Sequence, residues 1–311
     1  EEALEIYSVA VQLDPEVYKS YTNRGKAWLE LENYEQAIKD NSTSINIKPT
    51  YIAYHNRGYS KHKLGKYKEA ILDYSKSIEL NKDYNHNYYR RGIAKSYLEK
   101  DNEAIADYLK AIEFTKETDE GYKNDLSGFY YNLAFSNMYL ENTEDVIHYT
   151  TKAIEYDNTA YLAYKLRASV KGRLGDFEGV IEDISKAIEI GFEDDDSSLS
   201  GAYYINGQAH YFLNNYKNAI DRFNSAIKID PTYNASYYYR GASKYELNDM
   251  YGAISDYDRS LELDSSSTSA YLARAKAKEK LGKIDDALID FNKVVQLEPN
   301  NELFIRDRGI F

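Results

Sequence analysis

The residues best equipped for chemistry are few. The chain carries five histidines and no cysteine, which excludes disulfides, thiolate zinc sites and a cysteine nucleophile. His55 and His62 are seven residues apart, hence on one face of a helix, and His86 follows further on. Three imidazoles aimed at one region would bind a metal or titrate near neutral pH. No carboxylate completes that set at a recognisable ligand spacing, so partner contact or simple solvation is expected there. Glu193-Asp194-Asp195-Asp196, followed by Ser197-Ser198, lacks the alternation and the glycine of a calcium loop. It reads as a solvated loop capping the helix after it. No glycine-rich phosphate loop, paired-histidine protease motif, nucleophile elbow or kinase signature occurs. The expectation is a protein without catalytic residues, metal or cofactor.

One pair of residue types does recur. Arg24, Arg57, Arg91, Arg167, Arg240 and Arg274 are each followed sixteen residues later by Asp40, Asp73, Asp107, Asp183, Asp256 and Asp290. Two further places in the same registers hold Leu133 with Tyr149 and Asn206 with Arg222. Arginine and aspartate are thus kept or lost together, as an ion pair between two elements of one unit requires. Pairing across to the preceding unit fits worse, because it sets Asp107 against Leu133 and Arg222 against Arg240. The expected chemistry is a strut between helices rather than a ligand-binding arginine ladder.

The elements that carry these pairs follow from self-comparison. Leu31, Leu64, Leu98, Leu140, Leu174, Leu213, Leu247 and Leu281 recur at steps of 33, 34, 42, 34, 39, 34 and 34. The two long steps read as insertions. Ten residues before each leucine stands a tyrosine, Tyr21, Tyr54, Tyr88, Tyr130, Tyr164, Tyr203, Tyr237 or Tyr271. Four residues after that tyrosine comes Gly or Ala, and a second stretch past the leucine is marked by Ala or Val. Apolar residues at three- and four-residue steps in both stretches predict two amphipathic helices per unit. Small columns let the helices approach, with the tyrosines and leucines filling the space beside them. Pro15, Pro49, Pro231 and Pro299 fall in the connections to the next unit, where they end helices. One helix pair cannot bury its apolar face alone, so the units must stack.

The boundaries expected are 1–17 for the second helix of a partial repeat, then repeats at 18–50, 51–84 and 85–118. An insertion at 119–126, expected to extend or offset a helix, precedes repeats at 127–160 and 161–194. A second insertion at 195–199 precedes repeats at 200–233, 234–267 and 268–301, and 302–311 would be a partial first helix or cap.

Eight units in one register resemble the tetratricopeptide repeat family over nearly the whole chain. Ala3, Tyr7, Ala10 and Pro15 match a preceding second helix, and Arg308-Gly309 matches the start of a ninth unit. The resemblance implies an all-α fold, a right-handed superhelical solenoid of antiparallel helix pairs lined inside by the first helix of each. It also implies peptide or protein binding without chemistry. Helical geometry then nominates an inner wall. Its aromatic members are Tyr59, Tyr89, Tyr97, Tyr131, Phe135, Tyr139, Tyr204, Tyr211, Phe212, Tyr238 and Tyr245, and Lys165 and Arg173 are among its cations. One subtype of the family grips partner C-terminal carboxylates with a Lys/Asn/Asn/Lys/Arg clamp. Asn56 and Arg90 occupy matching places here, but Thr22, Lys26 and His86 stand where the others would be. Another subtype runs an asparagine ladder, matched only by Asn23, Asn56 and Asn132.

A net charge of -12 argues against bulk nucleic-acid binding. No run of about 18 apolar residues spans a membrane. The expected function is a scaffold that binds an extended or helical, neutral-to-acidic partner segment in a tyrosine-rich groove. Two other readings are open. One is self-assembly through the terminal repeats, with Leu4, Tyr7, Val11, Phe304 and Ile305 at open edges; the other is a regulatory segment of a larger enzyme.

Overall fold

The computed structural model describes residues 2–191, 196–299 and 301. The loop residues Glu193, Asp194 and Asp195, the side chain of Asp196, and Phe304, Ile305 and Arg308-Gly309 lie outside that description. Among the described residues every element is a helix: α1 (Glu2–Leu13), α2 (Tyr18–Glu30), α3 (Tyr34–Ile47), α4 (Tyr51–Lys63), α5 (Tyr67–Leu80), α6 (Asn85–Ser96), α7 (Asp101–Glu113), α8 (Tyr122–Tyr139), α9 (Thr143–Tyr156), α10 (Tyr161–Arg173), α11 (Phe177–Ile190), α12 (Asp196–Phe212), α13 (Tyr216–Ile229), α14 (Asn234–Glu246), α15 (Met250–Leu263), α16 (Thr268–Lys280) and α17 (Ile284–Leu297). The fold is an all-α helical repeat. The chain divides into two compact units, residues 1–163 and 164 onward.

Within each unit a first helix packs on its own second helix and the second on the next first helix. Consecutive first helices also touch: α2 with α4, α4 with α6 and α6 with α8 in one unit, α12 with α14 and α14 with α16 in the other. Consecutive second helices have no comparable contact among the described residues. First helices are therefore the crowded layer and second helices the splayed one. The small residues set this spacing. Ala37, Ala70, Ala104, Val146, Ala219, Ala253 and Ala287 are fully buried, as are Ser44, Ser77, Ala111 and Val294 in the next small column. On the first helix, a Cβ at Gly92 would sit 2.6 Å from the Tyr108 ring, so glycine there admits an aromatic from the second helix.

The leucine column fills the interior unevenly: Leu64, Leu98, Leu140, Leu213 and Leu281 are half-buried, and Leu281 packs on a core cluster. Leu31, Leu174 and Leu247 are 44%, 61% and 40% exposed. The helix α6 is capped by Tyr97, one residue before its leucine; in α2, α4, α8, α14 and α16 the leucine itself is the C-cap. The residue after it is left-handed in every repeat: Glu32, Gly65, Glu99, Glu141, Gly175, Asn214, Asn248 and Gly282 have φ between 55° and 79°. The turn closes the first helix as a left-handed C-terminal cap does. Asn33, Asp176 and Asp249 then start their second helices by accepting the N–H three residues on.

The insertions are partly helical. α8 begins at Tyr122, ahead of the boundary at 127, and α12 at Asp196, ahead of the boundary at 200. Gly121, at φ 74°, turns the chain into α8. On α1, Leu4, Tyr7 and Val11 are half-buried rather than open, and the exposed large apolar residues are Ile6, Val9 and Leu13.

Candidate functional site

The arginine and aspartate columns meet inside each repeat. Arg24 Nε and Nη2 donate to the two carboxylate oxygens of Asp40 at 2.7 Å each. Arg167 does the same to Asp183 at 2.9 and 2.7 Å, and Arg57–Asp73, Arg91–Asp107, Arg240–Asp256 and Arg274–Asp290 repeat the fork. Such bidentate pairs fix geometry as well as charge. Each guanidinium also lies over the tyrosine three residues before it, 5.4–5.7 Å from the ring centre.

Two partners of this strut escaped the sequence reading. Lys61, Lys95, Lys171, Lys244 and Lys278, four residues after their arginines, reach the same aspartates at 2.8–2.9 Å. Repeat 1 has Trp28 in that place. Spacing gave the signal, since lysine appears only where arginine and aspartate do. The second partner lies in the preceding repeat. Nη1 donates from Arg57 to Ser42 at 3.2 Å, Arg91 to Ser75 at 3.0 Å, Arg240 to Asn224 at 2.7 Å and Arg274 to Asp258 at 2.6 Å. One guanidinium thus ties a helix pair together and to its neighbour.

The predicted aromatic set divides. Some members are consumed by packing. Tyr89 lies 4.5 Å from Phe129 and accepts a hydrogen bond from Asn132 at 3.0 Å. Tyr204 is enclosed by Phe223, Tyr233 and Tyr239, and Tyr238 by Tyr239 and Tyr257. Tyr211 contacts Phe212, Tyr216 and Tyr239, and Tyr131 stacks on Phe135. Tyr245 is covered by Lys280, 4.0 Å from its ring centre.

Other members line three depressions built mainly on first helices. The first, about 360 Å³, is walled by Lys26, Glu30, His55, Asn56, Tyr59 and Arg90. Arg90 lies 5.0 Å from the Tyr59 ring centre and 5.6 Å from that of Tyr89. Asn56 is buried and its Nδ2 has no partner. A second, about 510 Å³, brings together Tyr97, Phe135 and Tyr139 with Tyr108, Glu99 and Asp101. The third, about 440 Å³, lies in the other compact unit. Buried Val180, Ile184 and Ala209 form its floor, while Phe212, Lys165 and Arg173 stand at its edge with Phe177.

The histidines do not form a metal site. His55 Nδ1 is 2.8 Å from Asn87 Oδ1, His62 packs edge to face against both Tyr67 and Tyr97, and His86 Nε2 is 3.4 Å from Asp125. The carboxylate that spacing did not supply therefore comes from α8, but no metal-ligating group of three is present among the described residues. Burial pushes His55 down to about 4, against its bond to Asn87 and with the nearby Arg90 charge. His62 also falls to about 4, through burial and then the Arg90 and Lys63 charges. No helix of the described residues is long and apolar enough to cross a membrane.

Family models for the tetratricopeptide repeat match residues 51–84, 86–118, 200–233 and 268–301. No curated protein gives a significant sequence match. Among solved structures, the chain is similar to the C-terminal part of a repeat-containing protein of this type from Cytophaga hutchinsonii, at 19% identity and TM-score 0.63, over 80% of this chain and 97% of that one. It is similar to YrrB, described as having an unusual peptide-binding site, at 19% identity and TM-score 0.55, over 65% and 97%. MamA aligns at 22% identity and TM-score 0.53, over 57% and 93%. At these identities the likeness is one of fold.

Proposed function

The chain is a tetratricopeptide-repeat protein, and from that premise we propose that it is a non-catalytic scaffold whose first-helix layer seats a partner polypeptide segment. Repeats of this type serve as protein-interaction modules. The observation that carries the reading is the depression of repeats 5 and 6. Its floor is apolar and buried, Phe212 at its edge is 48% exposed, and Lys165 and Arg173 border it. Exposed apolar surface rimmed by charge is what a docking site presents. An apolar side chain of the partner fills the floor while a neighbouring acidic one meets the cations. The depression of Lys26, Asn56 and Arg90 carries the same sign of charge and a buried amide donor without a partner. A neutral-to-acidic segment suits both places.

Selection from a random peptide display library tests this, followed by fluorescence anisotropy of the selected peptide. Phe212→Ala and Arg173→Glu should each weaken it about tenfold or more, the scale of a buried anchor or a reversed contact charge. Equal affinity in both variants, with folding intact, removes this surface from the function.

A further inference from the structure

The depression between repeats 3 and 4 has the opposite chemistry. Its walls are aromatic and its only charged members are Glu99 and Asp101. Tyr97 is stacked from behind on Tyr67, with ring centres 4.7 Å apart and planes 8° apart, yet 61% of it is exposed. Across the cavity Phe135 and Tyr139 meet edge to face at 5.1 Å, and Tyr139 is 60% exposed. Buried Tyr108 closes the floor. Ser96 Oγ donates to one oxygen of Asp101 at 3.1 Å. Glu99 is held beside the cavity by its left-handed backbone, with an exposed side chain. Lys95 and Lys100, the lysines flanking this segment in sequence, are engaged elsewhere, Lys95 with Asp107 and Glu103, and Lys100 with Glu103.

We propose that this cavity receives a basic side chain, the guanidinium or ammonium of an arginine or lysine in the partner segment. The negative faces of aromatic rings attract a cation, and the attraction adds to that of carboxylates at the rim. The rings are already fixed, by Tyr67 behind one wall and by the edge-to-face pair in the other, so little order is lost when the cation enters. A hydrocarbon stem lies against the ring surfaces while its head reaches Glu99 and Asp101. This places a positive residue of the partner at repeats 3 and 4 and its acidic residues at the depression of Lys26 and Arg90. The partner's charge pattern then sets the direction in which it lies along this unit. The inference rests on the scaffold reading but is read out separately.

The probe is Nα-acetyl-arginine methylamide, titrated into the 15N-labelled full chain and followed by amide shifts. The lysine, citrulline and glutamate analogues serve as comparisons. Arginine and lysine should give saturable shifts clustered at Tyr97, Glu99, Phe135 and Tyr139, with citrulline and glutamate giving none. Tyr139→Leu keeps apolar area but removes the π face, and should weaken the arginine probe about two- to fivefold. Glu99→Gln should do about the same and reduce the dependence on added salt. Citrulline shifts equal to those of arginine, or arginine binding unchanged in both variants, overturn the proposal. If display selects peptides whose binding needs Phe212 but is indifferent to their basic residues and to Glu99→Gln, the cation site fails while the scaffold reading stands. If the arginine probe binds as described and no peptide is selected, the reverse holds.

Discussion

Repeats 4 and 6 lack the strut that the other six share, and they replace it in different ways. Repeat 4 substitutes hydrocarbon. Leu133 is fully buried, and Tyr130 stacks on Tyr149 and on Tyr156 at 6.2 and 5.8 Å. Repeat 6 substitutes loose polarity. Asn206 turns to Ser185 at 3.1 Å, its Oδ1 and the Nδ1 of His210 have no partner, and Arg222 occupies the aspartate's place. Helix pairs form in all three versions. Close packing therefore belongs to the small residues and the aromatics, and the ion pair adds orientation to helices that would meet anyway. That agrees with the general finding that a buried pair is exchangeable for apolar residues, whereas a half-removed pair is not.

The hardest way to break this comparison is to leave the cations without their anion. Asp183 has no exposed side-chain surface and is held by both Arg167 and Lys171. Asp183→Ala should cost about 3–5 kcal/mol by urea unfolding. Arg167→Leu combined with Asp183→Tyr, the repeat 4 solution, should cost clearly less. A double variant as unstable as the single would mean the strut is needed for packing itself.

Acid comes next. His55 and His62 stay neutral in the folded chain to about pH 4, while the unfolded chain protonates them near 6.5. Their stabilisation is complete above pH 6.5 and is lost as the pH falls toward 4. His55 accounts for up to about 3 kcal/mol of that loss, and the less buried His62 for less. His210 is shifted the same way by burial and then by Arg222. Hydrogen exchange at pH 4.5 should therefore open repeats 2 and 6 before repeats 7 and 8, which carry no histidine. Uniform opening would contradict this.

The smallest effect sharpens the same contrast at the turns. Glu32 and Glu141 hold left-handed backbone that Gly65, Gly175 and Gly282 adopt freely. Glu32→Gly and Glu141→Gly should each raise stability by up to about 1 kcal/mol, and Asn248→Gly by less, because asparagine tolerates that conformation. A loss of stability in the glutamate variants would show that their side chains make contacts worth more than the strain.

Much of this was legible from spacing. The helix pairs and the Arg–Asp register follow from columns such as Arg91 and Asp107, since a repeat prints the same constraint many times. What spacing could not give was depth. Leu174 marks the period as well as Ala187 does, yet one is exposed at a helix end and the other is buried. Tyr204 and Tyr139 share a helix type and a residue type, but Phe223, Tyr233 and Tyr239 enclose the first while the second stays open. Phe223 stands in a repeating column with Tyr74, Tyr108, Tyr257 and Phe291, but Tyr233 and Tyr239 belong to no such column, and no periodicity encodes them. Glu99 and Asp101 carry no such signal, because carboxylates at a turn and a helix start look solvated until a cavity forms beside them.

The reach of Nη1 into the preceding repeat has a consequence for how the second unit would come apart. Between repeats 6 and 7 the acceptor is the neutral amide of Asn224; between repeats 7 and 8 it is the carboxylate of Asp258. Electrolyte weakens attraction between full charges and scarcely touches a neutral acceptor. Rising ionic strength thus weakens the hold of repeat 8 on repeat 7 more than that of repeat 7 on repeat 6, so neighbouring seams of one unit answer differently to the surrounding medium.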